Sequence, residues 1–247
     1  MVKVLLFDFG GTLDGPKHWL DRFLASYRDA GVDITREHLD PAFEHATQIG
    51  YRAGKVLERF GLPELVQFLV GHQVEYLQEN GCGAIGVRLG GASAKDRYRL
   101  VEQITASFVD ESRAGMARSR AIVESLKPRF RMGIVSNFYG NLDRIIAEAK
   151  MQRLFDTIID SSRVGAFKPD PRIFREALDA LSAQPAQAAM VGDSLAKDCA
   201  PAHAIGIATV WYRPPSQSTP VEAPSQGGTT VADHTIATLE EIAALDL

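Results

Sequence analysis

The sequence predicts an α/β protein: a mostly parallel sheet covered by helices, interrupted near its start by an all-helical insert. Two observations predict the sheet. The run Val4-Leu5-Leu6-Phe7-Asp8-Phe9 is apolar except for Asp8, the pattern of a strand buried on both faces. From residue 131 onward, short apolar runs alternate with segments of helical period, as in βαβ units joined by right-handed crossovers. A third observation predicts the insert, because the periodic segments from 15 to 115 are all helical. Two domains follow, 1–14 with 116–247 and 15–115.

Each element has its own signal. After the first strand, Trp19, Leu20, Phe23, Leu24 and Tyr27 recur at helical spacing, and Gly31 ends that helix. Thr35 is placed to cap a second helix from Arg36. A third is expected from Gly50 to Phe60, and a fourth from Leu62 through Leu77, with Pro63 in its first turn. The glycine-rich stretch 80–94 reads as a loop, and without a following Gly-Lys-Ser/Thr it is no nucleotide-binding P-loop. Helical periodicity resumes over 95–111 and again over 117–126. Strands are expected at 132–135, 157–160, 188–191 and 207–211, with helices at 142–149, 171–181 and 199–205 between them. The Pro/Ser/Gly/Thr-rich stretch 213–230 reads as a surface loop. A short edge segment at 231–236 and a helix at 239–245, capped by Thr238, close the chain.

The totals narrow the function. With 247 residues, 45% of them hydrophobic, the chain can bury a sizeable core. There are 31 acidic against 27 basic residues, for a formal charge of -4, and no strongly basic block, which argues against nucleic acid as the main partner. Cys82 and Cys199 are far apart, form no metal pattern and point to a reducing compartment. The N-terminus lacks a signal-peptide pattern, and no run approaches the ~20 apolar residues of a membrane span. A cytoplasmic protein without membrane contact, monomeric or a homodimer, is expected.

The predicted strands end in reactive side chains: Asp8, Ser136 with Asn137, and Asp193. Lys168 precedes a helix in Gly165-Ala166-Phe167-Lys168-Pro169-Asp170. In a doubly wound sheet such ends converge in one crevice. Carboxylates facing each other there repel unless a cation lies between them, and a hard divalent ion, chiefly Mg2+, suits oxygen ligands. Serine and lysine add donors fitted to phosphate oxygens, and Asp8 is placed to act as a nucleophile.

These stretches resemble the motifs of the haloacid dehalogenase superfamily, whose members are mostly phosphatases. The first motif is similar to Asp8-Phe9-Gly10-Gly11-Thr12-Leu13 and the second to Ile134-Val135-Ser136-Asn137. The third is similar to Lys168-Pro169-Asp170-Pro171-Arg172-Ile173-Phe174 and the fourth to Gly192-Asp193-Ser194-Leu195-Ala196-Lys197-Asp198. The resemblance implies a Rossmann-like core, with 15–115 as the helical cap inserted after the first motif. It implies that Asp8 is nucleophile and metal ligand, that Ser136 binds the transferring phosphoryl group and that Lys168 neutralises charge. It further implies Mg2+ on Asp8, Asp193 and the Gly10 carbonyl, supported by Asp198. Gly10, Gly11, Thr12 and Asn137 would line the substrate side, and the substrate would be a small phosphorylated metabolite.

One position departs from the pattern. Phosphatases of the family carry a second Asp two residues after the nucleophile, where this chain has Gly10. Loss of that general acid removes about 10²- to 10⁴-fold in rate. Four readings follow. The first is a phosphatase for good leaving groups, or one that borrows an acid from Glu44, His45, Glu58 or His72, with Asp14 read as a helix cap. The second is a phosphonate hydrolase with Lys55 as Schiff base. The third is a dehalogenase, against which Gly10 and the phosphatase-like Gly192-Asp193-Ser194 argue. The fourth is a catalytically weak or inactive binding protein of the same fold.

Overall fold

A computed structural model describes residues 1–80, 93–215 and 232–247. The expected loop at 80–94 and the one at 213–230 fall largely outside these residues, as does Cys82. The chain forms two compact units, Met1–His18 with Ala114–Leu247, and Trp19–Arg113. The sequence reading placed these divisions at 14/15 and 115/116.

The first unit is built on a six-stranded sheet of order β3-β2-β1-β4-β5-β6, with every pairing parallel. The strands are β1 (Val4–Phe7), β2 (Arg131–Ser136), β3 (Thr157–Asp160), β4 (Ala188–Gly192), β5 (Ala208–Tyr212) and β6 (His234–Ile236). All four residues of β1 are buried, as its unbroken apolar run requires. Leu6 pairs with Gly133 of β2 on one side and with Met190 of β4 on the other. The chain leaves β1 toward β2 and β3, then returns to place β4 on the opposite flank. The strand order therefore switches at β1, which puts a crevice at the C-terminal ends of β1, β2 and β4.

One face of the sheet is covered by an amphipathic helix, Arg172–Ala180. Its Ile173, Phe174, Ala177 and Leu178 join Leu6, Val135 and Met190 in a buried cluster. Apart from Ala177, each of these side chains contributes about 1.5–3 kcal/mol on burial. The last segment, Leu239–Ala244, is a 3-10 turn rather than the expected α-helix. Glu241 holds its start by accepting from the Thr238 N–H at 2.8 Å.

The second unit is helical: α1 (Trp19–Asp29), α2 (Arg36–Ala53), a 3-10 segment Gly54–Arg59 and α3 (Leu62–Glu79), followed by the opening turns of α4 (Ala94–Leu126). Its core is aromatic. Phe23 stacks on Phe108 with ring centroids 4.2 Å apart, and Trp19 meets Phe108 edge-on at 5.0 Å. The fully buried Arg22 lies 5.0 Å over the same Phe108 ring and donates to Ser112 Oγ at 2.7 Å. Thr35 stands at the N-terminus of α2 as expected, but its hydroxyl pairs with His38 Nδ1 at 2.9 Å instead of capping the backbone.

Two expected helix boundaries are corrected. No helix starts at Gly50, because α2 runs through it and stops at Gly54, whose positive φ of 51° ends the helical path. The segments 95–111 and 117–126 are one helix, α4. Gly115 does not break it; a Cβ there would collide with the Asp14 main-chain carbonyl, so the glycine allows close approach of two backbones. No helix among the described residues is long and apolar enough to cross a membrane.

Candidate active site

The site begins where β1 ends. The Asp8 N–H still bonds to Val191 O, at 2.9 Å, so the nucleophile candidate is fixed by the sheet itself. Residues Phe9–Leu13 then turn sharply, with Gly11 at φ 83° and ψ 0°. The Gly11 N–H donates to Asp14 Oδ1 at 2.8 Å, and the Asp14 N–H to Phe9 O at 3.1 Å. Asp14 is fully buried. It is therefore not a helix cap, since α1 starts only at Trp19; it closes the loop that carries Gly10 and Gly11. A Cβ at Gly11 would come within 2.5 Å of Asp193 Oδ2. Space and backbone both demand glycine there.

Four side chains named from the sequence form one hydrogen-bonded group. Asp8 Oδ1 accepts from Ser136 Oγ at 2.9 Å and from Lys168 Nζ at 2.6 Å. Lys168 Nζ also donates to Asp198 Oδ1 at 2.5 Å, and Asp198 Oδ2 accepts from the Ser194 N–H at 3.0 Å. All four are buried, Lys168 at 5% exposure. Asp8 Oδ2 accepts no hydrogen bond among the described residues, which leaves one carboxylate oxygen tied and the other available.

Asp193 joins them at the end of β4. Carboxylate oxygens of Asp8, Asp193 and Asp198 lie within 4.8 Å of one another. Burial pushes the Asp193 carboxyl well above the usual range, and the charges of Asp8 and Asp198 push it further. Burial raises Asp198 to about 6 against the pull of Lys168. Burial also works against the charge on Lys168, but Asp198 and Asp8 outweigh it and hold the ammonium protonated beyond its ordinary range. Three carboxylates thus face a single ammonium. The excess negative charge and the all-oxygen donor set fit a hard divalent cation such as Mg2+.

The remaining candidates are placed as follows. Gly10 lies in the turn with φ -74° and ψ 117°. Thr12 is buried at 1% exposure, and its hydroxyl has no hydrogen-bond partner among the described residues. The Asn137 carboxamide bonds the main chain of Lys168, donating to Lys168 O at 2.9 Å and accepting from Lys168 N at 2.7 Å. In the helical unit, Glu44 is exposed and accepts from Gln48 at 2.8 Å. His45 lies 4.9 Å from the Tyr76 ring, and His72 pairs with Glu75 at 3.0 Å. Glu58 and Lys55 are exposed.

Sequence reasoning missed Trp211. Its indole Nε1 donates to the Asp193 carbonyl at 3.0 Å and steadies the residue that follows β4. The available signal was register, because Gly192 pairs with Trp211 across β4 and β5. Gly192 belongs to the fourth motif, and its physical reason is spatial: a Cβ there would collide with the Asp198 carboxylate.

A switch-point crevice lined by a strand-end Asp, a Ser, a Lys and two further acids defines an α/β hydrolase with a carboxylate at its centre. The chain belongs to the haloacid dehalogenase-like hydrolases, whose family model matches residues 2–206. The haloacid dehalogenase-like hydrolase domain-containing protein 3 of Bos taurus is 29% identical over 212 residues, covering 83% of this chain and 80% of that one. The Mus musculus protein of the same name is 42% identical over 81 residues, 33% of this chain and 32% of that one. A ribulose-1,5-bisphosphate 5-phosphatase of Halopiger xanaduensis is 34% identical over 168 residues, 66% of this chain and 69% of the other. Among solved structures, the HAD-hydrolase YfnB of Bacillus subtilis bound to magnesium shares the fold. It has a TM-score of 0.54 at 18% identity, over 100% of this chain and 99% of that one.

Proposed function

We propose that this hydrolase is a Mg2+-dependent phosphatase that works through an aspartyl-phosphate on Asp8, on a small phosphorylated metabolite with a good leaving group. The observation that carries the reading is the asymmetry of Asp8: Ser136 and Lys168 tie Oδ1, and Oδ2 accepts no hydrogen bond among the described residues. The Halopiger relative, named as a phosphatase, supports it, as does the magnesium bound in the Bacillus subtilis structure.

Asp8, Asp193 and the Gly10 carbonyl are the groups that would hold Mg2+, with Asp198 in support. When bound, the ion supplies positive charge against the phosphoryl oxygens. In the first half-reaction Asp8 Oδ2 attacks phosphorus, the ester P–O bond breaks and the leaving oxygen takes the bonding pair. Ser136 and Lys168 fix the carboxylate; Lys168 has a further N–H donor for the transferring group, and the single Ser136 O–H serves it only on leaving Asp8 Oδ1. In the second, water attacks phosphorus, phosphate is released and the Asp8 carboxylate is regenerated. Glycine at position 10 has no proton to give, so the leaving oxygen departs as an anion. Acyl phosphates and sugar 1-phosphates, whose leaving groups are acidic, suit such a site.

The test is phosphate release by the purified full chain with Mg2+, from acetyl phosphate, p-nitrophenyl phosphate, sugar 1-phosphates and a primary alkyl phosphate. Rates should follow leaving-group acidity, vanish with EDTA and return with added Mg2+. No turnover anywhere in the panel would reject the phosphatase and favour a binding protein of this fold.

A further inference from the structure

We propose that Asn137 is a positioning residue for Lys168, and that its side chain works on the lysine main chain rather than on substrate. Its carboxamide donates to Lys168 O at 2.9 Å and accepts from Lys168 N at 2.7 Å. The amide therefore plays the part of a neighbouring strand one residue long, satisfying both main-chain polar groups of a buried residue.

The clamp has a fixed base. The Phe138 N–H donates to Ser161 Oγ at 2.9 Å, and Phe138 O accepts from Ser162 Oγ at 2.5 Å. Asp160 Oδ2 accepts from the Gly140 and Leu142 N–H groups at 2.9 and 3.2 Å, and Asp160 Oδ1 from Ser162 N at 3.0 Å. Arg163 Nε donates to Gly140 O at 2.7 Å. The Phe138 ring meets Phe9 edge-on at 5.4 Å. The loop after β2 is thus pinned to the end of β3, and Asn137 carries that rigidity across to Lys168.

The reason for such a device lies in the lysine. Its ammonium sits at the end of a flexible four-carbon stem, yet it must meet Asp8 Oδ1 at 2.6 Å and Asp198 Oδ1 at 2.5 Å. A flexible stem delivers its end reproducibly only from a fixed root. Misplacing a catalytic group by about 1 Å costs on the order of 10²-fold in rate.

The experiment has a kinetic arm, which rests on the phosphatase reading, and a chemical arm, which does not. In the first, p-nitrophenyl phosphate turnover with Mg2+ is compared for the wild type, Asn137→Ala, Lys168→Met and the double variant. Asn137→Ala should lower kcat by about 10²-fold with KM nearly unchanged, and the double variant should be no slower than Lys168→Met alone. A raised KM with kcat intact would show direct contact with substrate, full multiplication of the two effects would show that Asn137 acts independently of Lys168, and either overturns the clamp. In the second arm, trace acetylation of the full chain with acetic anhydride is read at the Lys168 peptide by mass spectrometry. Labelling of Lys168 should rise about tenfold in Asn137→Ala, the change expected when a lost hydrogen bond eases local opening. The isosteric Asn137→Asp, which keeps the acceptor and loses the donor, should show the same direction and guards against a misfolded alanine variant. Unchanged labelling in both variants overturns the proposal. If the wild type turns nothing over, the phosphatase reading falls, and the labelling alone decides the clamp.

Discussion

Replacing Gly11 by alanine should separate metal binding from folding. Gly11 sits at φ 83°, and a Cβ there would lie 2.5 Å from Asp193 Oδ2. A left-handed conformation costs a non-glycine residue about 1–2 kcal/mol. For a chain of this size that lowers Tm by about 2–8 °C, at roughly 2–4 °C per kcal/mol. The collision itself is relieved cheaply, because the atom in the way is the end of an Asp side chain. Ordinary contact begins near 3.4 Å, so the Asp193 carboxylate must retreat by 3.4 minus 2.5, or 0.9 Å. That residue is a proposed metal ligand, and a displacement of this order costs on the order of 10²-fold in rate. The variant should therefore fold, melt a few degrees lower, and lose most of its Mg2+ affinity by isothermal titration together with most of its turnover. A Gly11→Ala protein with wild-type Mg2+ affinity and wild-type kcat would refute the reasoning, because the Asp193 carboxylate would then have no part in holding the ion.

Other perturbations test neighbouring parts of the argument. Gly10→Asp should speed hydrolysis of a primary alkyl phosphate by about 10²- to 10⁴-fold while changing p-nitrophenyl phosphate far less; equal effects on both esters would place proton transfer elsewhere. The Mg2+-induced rise in Tm should be larger at pH 8 than at pH 5.5. Asp193 and Asp198 have native pKa values raised by burial, Asp198 to about 6, so the native state holds their protons more tightly than the unfolded chain does. Their contribution to stability is accordingly greatest below the unfolded carboxyl pKa and falls as pH rises through the native values, where a divalent cation replaces the protons; a thermal shift independent of pH would contradict that. Gly115→Ala should cost about 1–3 kcal/mol by overpacking α4 against the Asp14 carbonyl, visible as a lowered Tm in calorimetry, whereas an unchanged Tm would mean that the two backbones separate freely.

The parts of the fold and site that depend on pattern along the chain were legible, and the parts that depend on contacts across space were not. The buried strand β1 announces itself by an unbroken apolar run, and Asp8, Ser136 and Asp193 by interrupting or ending such runs. Their convergence follows from strand order alone, once β1 is known to lie between β2 and β4. The helical periods over 95–111 and 117–126 read as two segments because local pattern is all the sequence displays, yet Gly115 between them is set by the Asp14 carbonyl about a hundred residues away in the chain. Asp14 looked like a helix cap because it precedes a helix, and only the backbone turn at Gly11 shows which N–H it serves. Trp211 gave no local sign of its tie to Asp193, which needs the register of β5 against β4.

The glycines of the site are not equivalent, and the difference bears on its chemistry. Gly11 is held by a positive φ and by the nearby Asp193 carboxylate, and Gly192 by the Asp198 carboxylate. Under the proposed function both let acids from different strand ends share one cation, and a side chain at either would push against one of those acids. Gly10 has φ -74° and ψ 117°, an ordinary extended conformation open to any residue. Its missing side chain is therefore not imposed by the backbone. Geometry at positions 11 and 192 builds the acidic cluster, whereas the identity of residue 10 sets what that cluster can do with a leaving group. Under the proposed function, a site that keeps the first and alters the second would still hold phosphate and cation and would turn over only substrates that need no proton.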